Sequence, residues 1–270
     1  MAKNSTGIKY IPIYADVKKE RFDLFEIILE EVEKNAERLE DGDIIVISSK
    51  FVAMSEGRLV KLSDVIPSPE AEDLASKTHM PSNLAELILR EADLVFAGLP
   101  GFALAIKDGV FTPNAGIDRS NVQEGWAILY PRMPFRKAET LRRRILLEIG
   151  KKVGIIITDS RLLPLRSGTT GIAIGVAGFD PVKDERGRKD LFDNVLRVTL
   201  RALADDICAG AQLIMGEANE RIPLVIVRNS GIKLHDKPLN YEQMTVDHYE
   251  CIYVRGLANE GRSTFYRESG

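Results

Sequence analysis

The chain has 270 residues, 44% hydrophobic and 29% charged, with 37 basic residues against 40 acidic ones and a net charge of −3. This is an ordinary globular balance with length enough for a real core, and the lack of basic excess argues against a nucleic-acid partner. No apolar run approaches the roughly 18 residues of a membrane helix, and Met1 to Ser5 carry no signal-peptide core, so a cytoplasmic protein without a membrane partner is expected.

In chain order, residues 21–40 read as a helix, because Phe25, Ile28, Val32, Ala36 and Leu39 recur at spacings of three and four. Asp41-Gly42 ends it, and Ile44 to Ile47 is a buried-strand pattern. Asn83 to Ala92 reads as a second helix with Ser82 as its cap. Leu94 to Ala97 and Phe102 to Ile106 are strand-like, and Asp108-Gly109 is a hairpin turn into Val110 and Phe111. Trp126 to Leu129 is another strand. Arg136 to Glu148 is a basic amphipathic helix with Leu141, Ile145, Leu146 and Ile149 on its apolar face, closed by Gly150. Val153 to Ile157 is an apolar strand ending in Thr158-Asp159-Ser160. The periodicity then predicts a long helix over 191–215, a strand over 224–227 and a poorly periodic tail from Ser230. Strands and helices alternate without βαβ regularity, so the fold class expected is a mixed α+β arrangement with a largely antiparallel or mixed sheet. One domain is expected over 1–270, with a break between lobes near 131–135.

Two cysteines make no disulfide framework, and Cys208 reads as a core thiol. The histidines form no metal motif, so a metal here is held by oxygen. Asp159 follows an apolar strand and emerges where ligands collect, with the Ser160 hydroxyl beside it. That pair suits Mg2+ or Mn2+, although a turn-capping Asp is the plainer local reading. Asp118 lies in a small polar segment, Asn114 to Asn121, and is either a second metal ligand or part of an Asx-rich turn. Asn121 is a candidate for reading a base or phosphate edge. Arg186 and Arg188 flank Gly187 ahead of the expected long helix and are candidates for phosphate or carboxylate; a solvated loop capped by Asp190 is the alternative. Gly168, Gly171, Gly175 and Gly178 match no phosphate loop and read as sites of close backbone packing.

Several stretches together resemble the F420-0 γ-glutamyl ligase family: "DGDIIVISSK" and "SEGR" at 41–58, "NAGIDRSNVQEG" at 114–125, and "LRRRILLEIGKKVGIIITDS" at 141–160. "GIAIGVAG", "DERGRKDL", "VTLRALADDICAGAQLIMGEA" and "IPLVIVR" follow in order, from residue 171 to residue 228. The resemblance implies a two-lobed fold paired as an intertwined homodimer. It also implies an amide ligase that uses GTP with Mg2+ or Mn2+ to activate a carboxylate acceptor for attack by L-glutamate. Carried over, Asp118 and Asp159 become catalytic metal ligands, joined by Ser160 and Glu217. Ser49, Lys50, Asn121 and the Met215-Gly216-Glu217 turn lie at the nucleotide. Some positions depart from the pattern. Tyr14 to Lys19 lacks the family's glycine and proline, and Met54 replaces a lysine that contacts nucleotide. Leu162-Leu163 replaces a glycine and arginine, and Asp193-Asn194-Val195 replaces Gly-Arg-Glu. Three readings stay open at this point: a ligase acting on F420-0 or a related acceptor, an enzyme for another nucleotide or phosphometabolite, and a non-catalytic binding protein.

Overall fold

The computed structural model describes residues 7–259, apart from residues 19, 97 and 248. Strand β1 (Lys9–Ile13) leads to helix α1 (Leu24–Lys34), capped by Asp23, whose carboxylate accepts from the amides of Phe25 and Glu26. The helix is shorter than the apolar spacing over 21–40 predicts. Ala36 takes a left-handed φ of 56°, which ends it, yet Leu39 still reaches the core. β2 (Ile44–Ser48) runs straight into α2 (Ser49–Ser55), with Ser48 as cap.

Residues after α2 form a separate layer. It comprises β3 (Leu59–Lys61), α3 (Pro69–Thr78), α4 (Ser82–Glu91), β4 (Leu94–Val95), β5 (Leu104–Lys107), β6 (Val110–Pro113) and β7 (Trp126–Ile128). Ser82 is not the cap of α4. Pro81 holds that position and Ser82 is the first helical residue. The predicted strand over 94–97 shrinks to the two residues of β4, and Ala97 lies outside the described residues. The Asp108-Gly109 turn is formed as expected, with φ of 49° and 73°, the double left-handed geometry of a tight hairpin.

α5 (Pro134–Ile149) ends on Gly150, which takes a left-handed φ of 70°. β8 (Gly154–Leu162), β9 (Thr169–Ala177), β10 (Lys183–Asp184), β11 (Leu200–Arg201), α6 (Leu203–Met215), β12 (Leu224–Arg228) and α7 (Ile252–Asn259) complete the chain. Residues 260–270 of the tail lie outside the described residues. The helix predicted over 191–215 exists only from Leu203. Upstream, Asp190 accepts from the amides of Phe192 and Asn194, Asp193 takes a left-handed φ of 63°, and β10 pairs with β11. Local carboxylate-to-backbone bonds outcompete helix there, and Val195 and Val198, placed on the helix's apolar face by spacing alone, are exposed.

The main sheet has the order β1-β12-β2-β8-β9. Only β2 and β8 are parallel; the other neighbours are antiparallel, which makes the sheet mixed, as expected. One face packs α1 and α5 through Phe25, Ile28, Leu141 and Ile145. The other packs α6 through Ile207, Cys208 and Ala211. Burial pushes the Cys208 thiol pKa up, as suits a core residue. The layer after α2 has its own core around Leu74, Leu84, Ile88 and Ala105.

Glycines let the helices close on the sheet. A Cβ on Gly171 would sit 2.6 Å from the Cys208 carbonyl oxygen, and one on Gly175 would sit 2.6 Å from the Pro134 carbonyl carbon. Asp159 is not the end of its strand, because β8 continues to Leu162 against β9. It lies one residue beyond Thr158, where parallel pairing with β2 stops and α2 turns away.

Candidate active site

A cavity of about 380 Å³ opens where β2 gives way to α2. Its walls are the first turn of α2, residues 158–160 of β8, the end of α6 with the turn that follows it, and residues 15–18. This is the crevice that a sheet creates when one strand stops and its parallel neighbour runs on. Ser49, Lys50, Asn121, Asp159, Ser160, Met215, Gly216 and Glu217 all line it.

Two consecutive residues of α2 reach the two acids. Ser49 Oγ donates to Asp159 Oδ1 at 2.6 Å. Lys50 Nζ lies 2.6 Å from Asp118 Oδ2 and 2.6 Å from Ser120 Oγ. Asp118 therefore joins the site through Lys50. Its other oxygen accepts from the Ser120 amide at 2.7 Å. Burial pushes the Asp118 carboxyl up, but the bonds from Lys50 and the Ser120 amide outweigh it, and the net pKa lies below the ordinary carboxylate value.

Asn121, at a left-handed φ of 55°, donates to the Ala218 carbonyl at 3.0 Å and so ties the Asp118 loop to the turn after α6. In that turn Glu217 accepts from Thr169 Oγ1 at 2.6 Å and from Gln212 Nε2 at 2.9 Å. Gly216 takes φ 66° and ψ −170°, a backbone conformation that side-chain-bearing residues rarely adopt, and a Cβ there would also displace the Glu220 carboxylate. Met54 and Met215 supply apolar wall.

Arg186 and Arg188 do not lie beside a helix N-terminus, because α6 starts only at Leu203. They sit on the β10–β11 hairpin, where Arg186 pairs with Asp184 at 2.6 Å and Arg188 pairs with Glu185. They are not among the residues that line the cavity.

The structure also adds a residue that sequence reasoning missed. Arg161 Nη1 lies 2.9 Å from Asp159 Oδ2. Strand alternation places residues 159 and 161 on one face, so extending the strand beyond Ile157 would have found it.

The Asp159 carboxylate and the adjacent Ser160 hydroxyl are the kind of oxygen donors a hard divalent cation takes, but Ser49 and Arg161 already engage both carboxylate oxygens. Among the described residues no three of His, Cys, Asp and Glu are grouped to hold a metal by themselves. A magnesium-type ion needs only one or two carboxylates when substrate phosphates complete its shell.

Residues 12–229 match the family described as F420-0:Gamma-glutamyl ligase. The chain is 42% identical over 214 residues to the coenzyme F420:L-glutamate ligase of Archaeoglobus fulgidus, covering 79% of this chain and 84% of that protein. It is 40% identical over 212 residues to the enzyme of the same name from Methanopyrus kandleri, covering 78% and 81%. The Methanothermobacter thermautotrophicus enzyme is 39% identical over 207 residues, covering 76% and 82%.

Proposed function

Because the chain belongs to the F420-0:gamma-glutamyl ligase family, we propose that it joins L-glutamate to the carboxylate of coenzyme F420-0 or a related acceptor, using GTP and Mg2+ or Mn2+ in the cytoplasm. The observation that carries this reading is the reach of Ser49 and Lys50 to Asp159 and Asp118 beside one cavity. No helix among the described residues is long and apolar enough to cross a membrane.

A carboxylate is a poor electrophile. Transfer of the γ-phosphoryl group of GTP to an acceptor oxygen yields an acyl phosphate and GDP. The glutamate amine then attacks the acyl carbon, the bond from that carbon to the phosphate oxygen breaks, and the nitrogen loses a proton. The products are the amide and inorganic phosphate. Asp159 and Ser160, completed by the nucleotide's own phosphates, would hold a divalent ion that neutralises triphosphate charge when bound; Asp118 and Glu217, the other acids proposed as ligands, would have to leave Lys50 and Thr169 to join them. Lys50 brings an ammonium to the transferred phosphoryl group. Ser49 fixes one oxygen of Asp159, and Asn121 holds the two sides of the cavity together. Met54 and Met215 give the cavity its apolar wall.

The test is incubation with GTP, Mn2+, L-glutamate and F420-0. Phosphate release should match, mole for mole, a product heavier by one glutamyl residue, and should need every component. No turnover with GTP or ATP, together with no metal-dependent nucleotide binding, would sink the proposal.

One observation favours a second reading with a different nucleotide. Met54 lines the cavity, and a thioether cannot pair with phosphate. In a thermal-shift series of nucleotides and phosphometabolites, strong stabilisation by GTP alone removes this alternative.

We also propose a homodimer. The β10–β11 hairpin carries Leu191 and Phe192, 98% and 84% exposed, with Val198 and Leu200 exposed on the same arm. Such a concentration of bare apolar side chains marks a contact surface. Sedimentation should give twice the 30.0 kDa chain mass, and Phe192→Asp should return it to one.

A further inference from the structure

Arg161 is the most deeply buried charge in contact with the site. Its side chain is 4% exposed, against 16% for its partner Asp159. Nη1 makes the contact with Asp159 Oδ2, while Nε and Nη2 are sealed from solvent with no protein acceptor among the described residues. The neighbouring Tyr130 hydroxyl is also sealed from solvent. Its ring centroid lies 5.8 Å from the guanidinium carbon.

An arginine cannot shed its charge in a protein, and its five donors favour carboxylate or phosphate. Buried ions need a compensating partner, and Asp159 is the one ion-pair partner of Arg161 among the described residues. The pair is neutral as it stands. Ser49 holds the other carboxylate oxygen, so both oxygens of Asp159 are already engaged. A metal ion arriving from the cavity meets an occupied carboxylate with a fixed positive charge behind it.

We propose that Arg161 is the resident counter-ion of Asp159 and weakens divalent-cation binding at that acid. Metal affinity is then set by Arg161 as much as by the number of carboxylates. Arg161 is a positioning residue that acts through Asp159. The inference rests on the reading of Asp159 as a metal ligand.

The test is a Mn2+ titration of the full chain, with free Mn2+ followed by its electron paramagnetic resonance signal. The proteins are the wild type, Arg161→Met, Arg161→Gln, Arg161→Lys, and Arg161→Met combined with Asp159→Asn. Removing one like charge this close should tighten Mn2+ binding by roughly tenfold or more in Arg161→Met. Arg161→Gln removes the charge but keeps a donor for Asp159, so it should show the same gain if the methionine variant folds poorly. Arg161→Lys keeps the charge and should bind as the wild type does. Adding Asp159→Asn should abolish the gain. A parallel thermal melt should show a larger Mn2+-induced rise in Tm for the neutral variants than for the wild type. Equal Mn2+ affinity in wild type and neutral variants, with Asp159→Asn still weakening it, overturns this inference and leaves the metal reading standing. No Mn2+ binding by any of the five proteins, either alone or with a non-hydrolysable GTP analogue present, removes the metal reading and the inference together.

Discussion

The two acids of the site come from different layers and are held in different ways. Asp159 belongs to β8, a central strand of the main sheet, and pairs with a buried guanidinium. Asp118 sits in a loop bridged to Ile128 in the smaller layer, is 40% exposed, and pairs with the long flexible arm of Lys50. The first pair is shielded from salt and depends on packing. The second is open to screening and contributes little to stability. The cleft therefore has one rigid side and one adjustable side, and α2 touches both with consecutive residues.

The largest expected effect comes from breaking the rigid side. Asp159→Asn leaves Arg161 buried with no counter-charge, which should destabilise the fold by roughly 3 kcal/mol. Calorimetric unfolding checks this. A variant as stable as the wild type would show that Arg161 finds another partner and that the contrast between the two sides is false. Gly175→Ala presses a methyl group into the start of α5 on the same sheet and should cost about 1–3 kcal/mol through overpacking. Denaturant midpoints measure it.

Lys50→Ala tests the adjustable side. Stability should change by less than about 1 kcal/mol. The Asp118 carboxyl should titrate nearer its ordinary value, because its leading favourable bond is lost. A carbon-detected NMR titration of that carboxyl decides the matter, and no movement would mean that Lys50 does not set its acidity.

The smallest expected effect concerns pH in the layer that carries Asp118. The Ser68 hydroxyl and amide, with Arg90, hold the Glu86 carboxyl at about 2, below its ordinary 4.5. A carboxyl depressed on folding stabilises above its unfolded value and loses that contribution as pH falls through the folded one. Helical circular dichroism should therefore weaken between pH 4.5 and about 2. Glu86→Gln should flatten that slope.

Much of the fold was legible in local patterns. The apolar run into Asp159, the Asp-Gly hairpin turn and the Gly150 cap each follow from short-range sterics and side-chain period. The helix expected over 191–215 failed because apolar spacing took no account of Asp190 and its bonds to nearby amides. Of the candidate site residues, most line one cavity; Asp118 stands behind Lys50 rather than on its wall, and Arg186 and Arg188 fall on the hairpin arm.

By itself, the sequence determined which oxygen-bearing residues were on offer, the mixed α+β character and the family resemblance. Tertiary structure alone decided that Ser49 meets Asp159 across 110 positions and Lys50 meets Ser120 across 70. It also decided that Arg161 was buried beside the site, and that it paired with the acid rather than facing solvent. The physical reason is range. Turns, caps and periodicity are set by neighbours along the chain, whereas parallel pairing of β2 with β8 unites distant segments, and that pairing brings Ser49 to the Asp159 carboxylate.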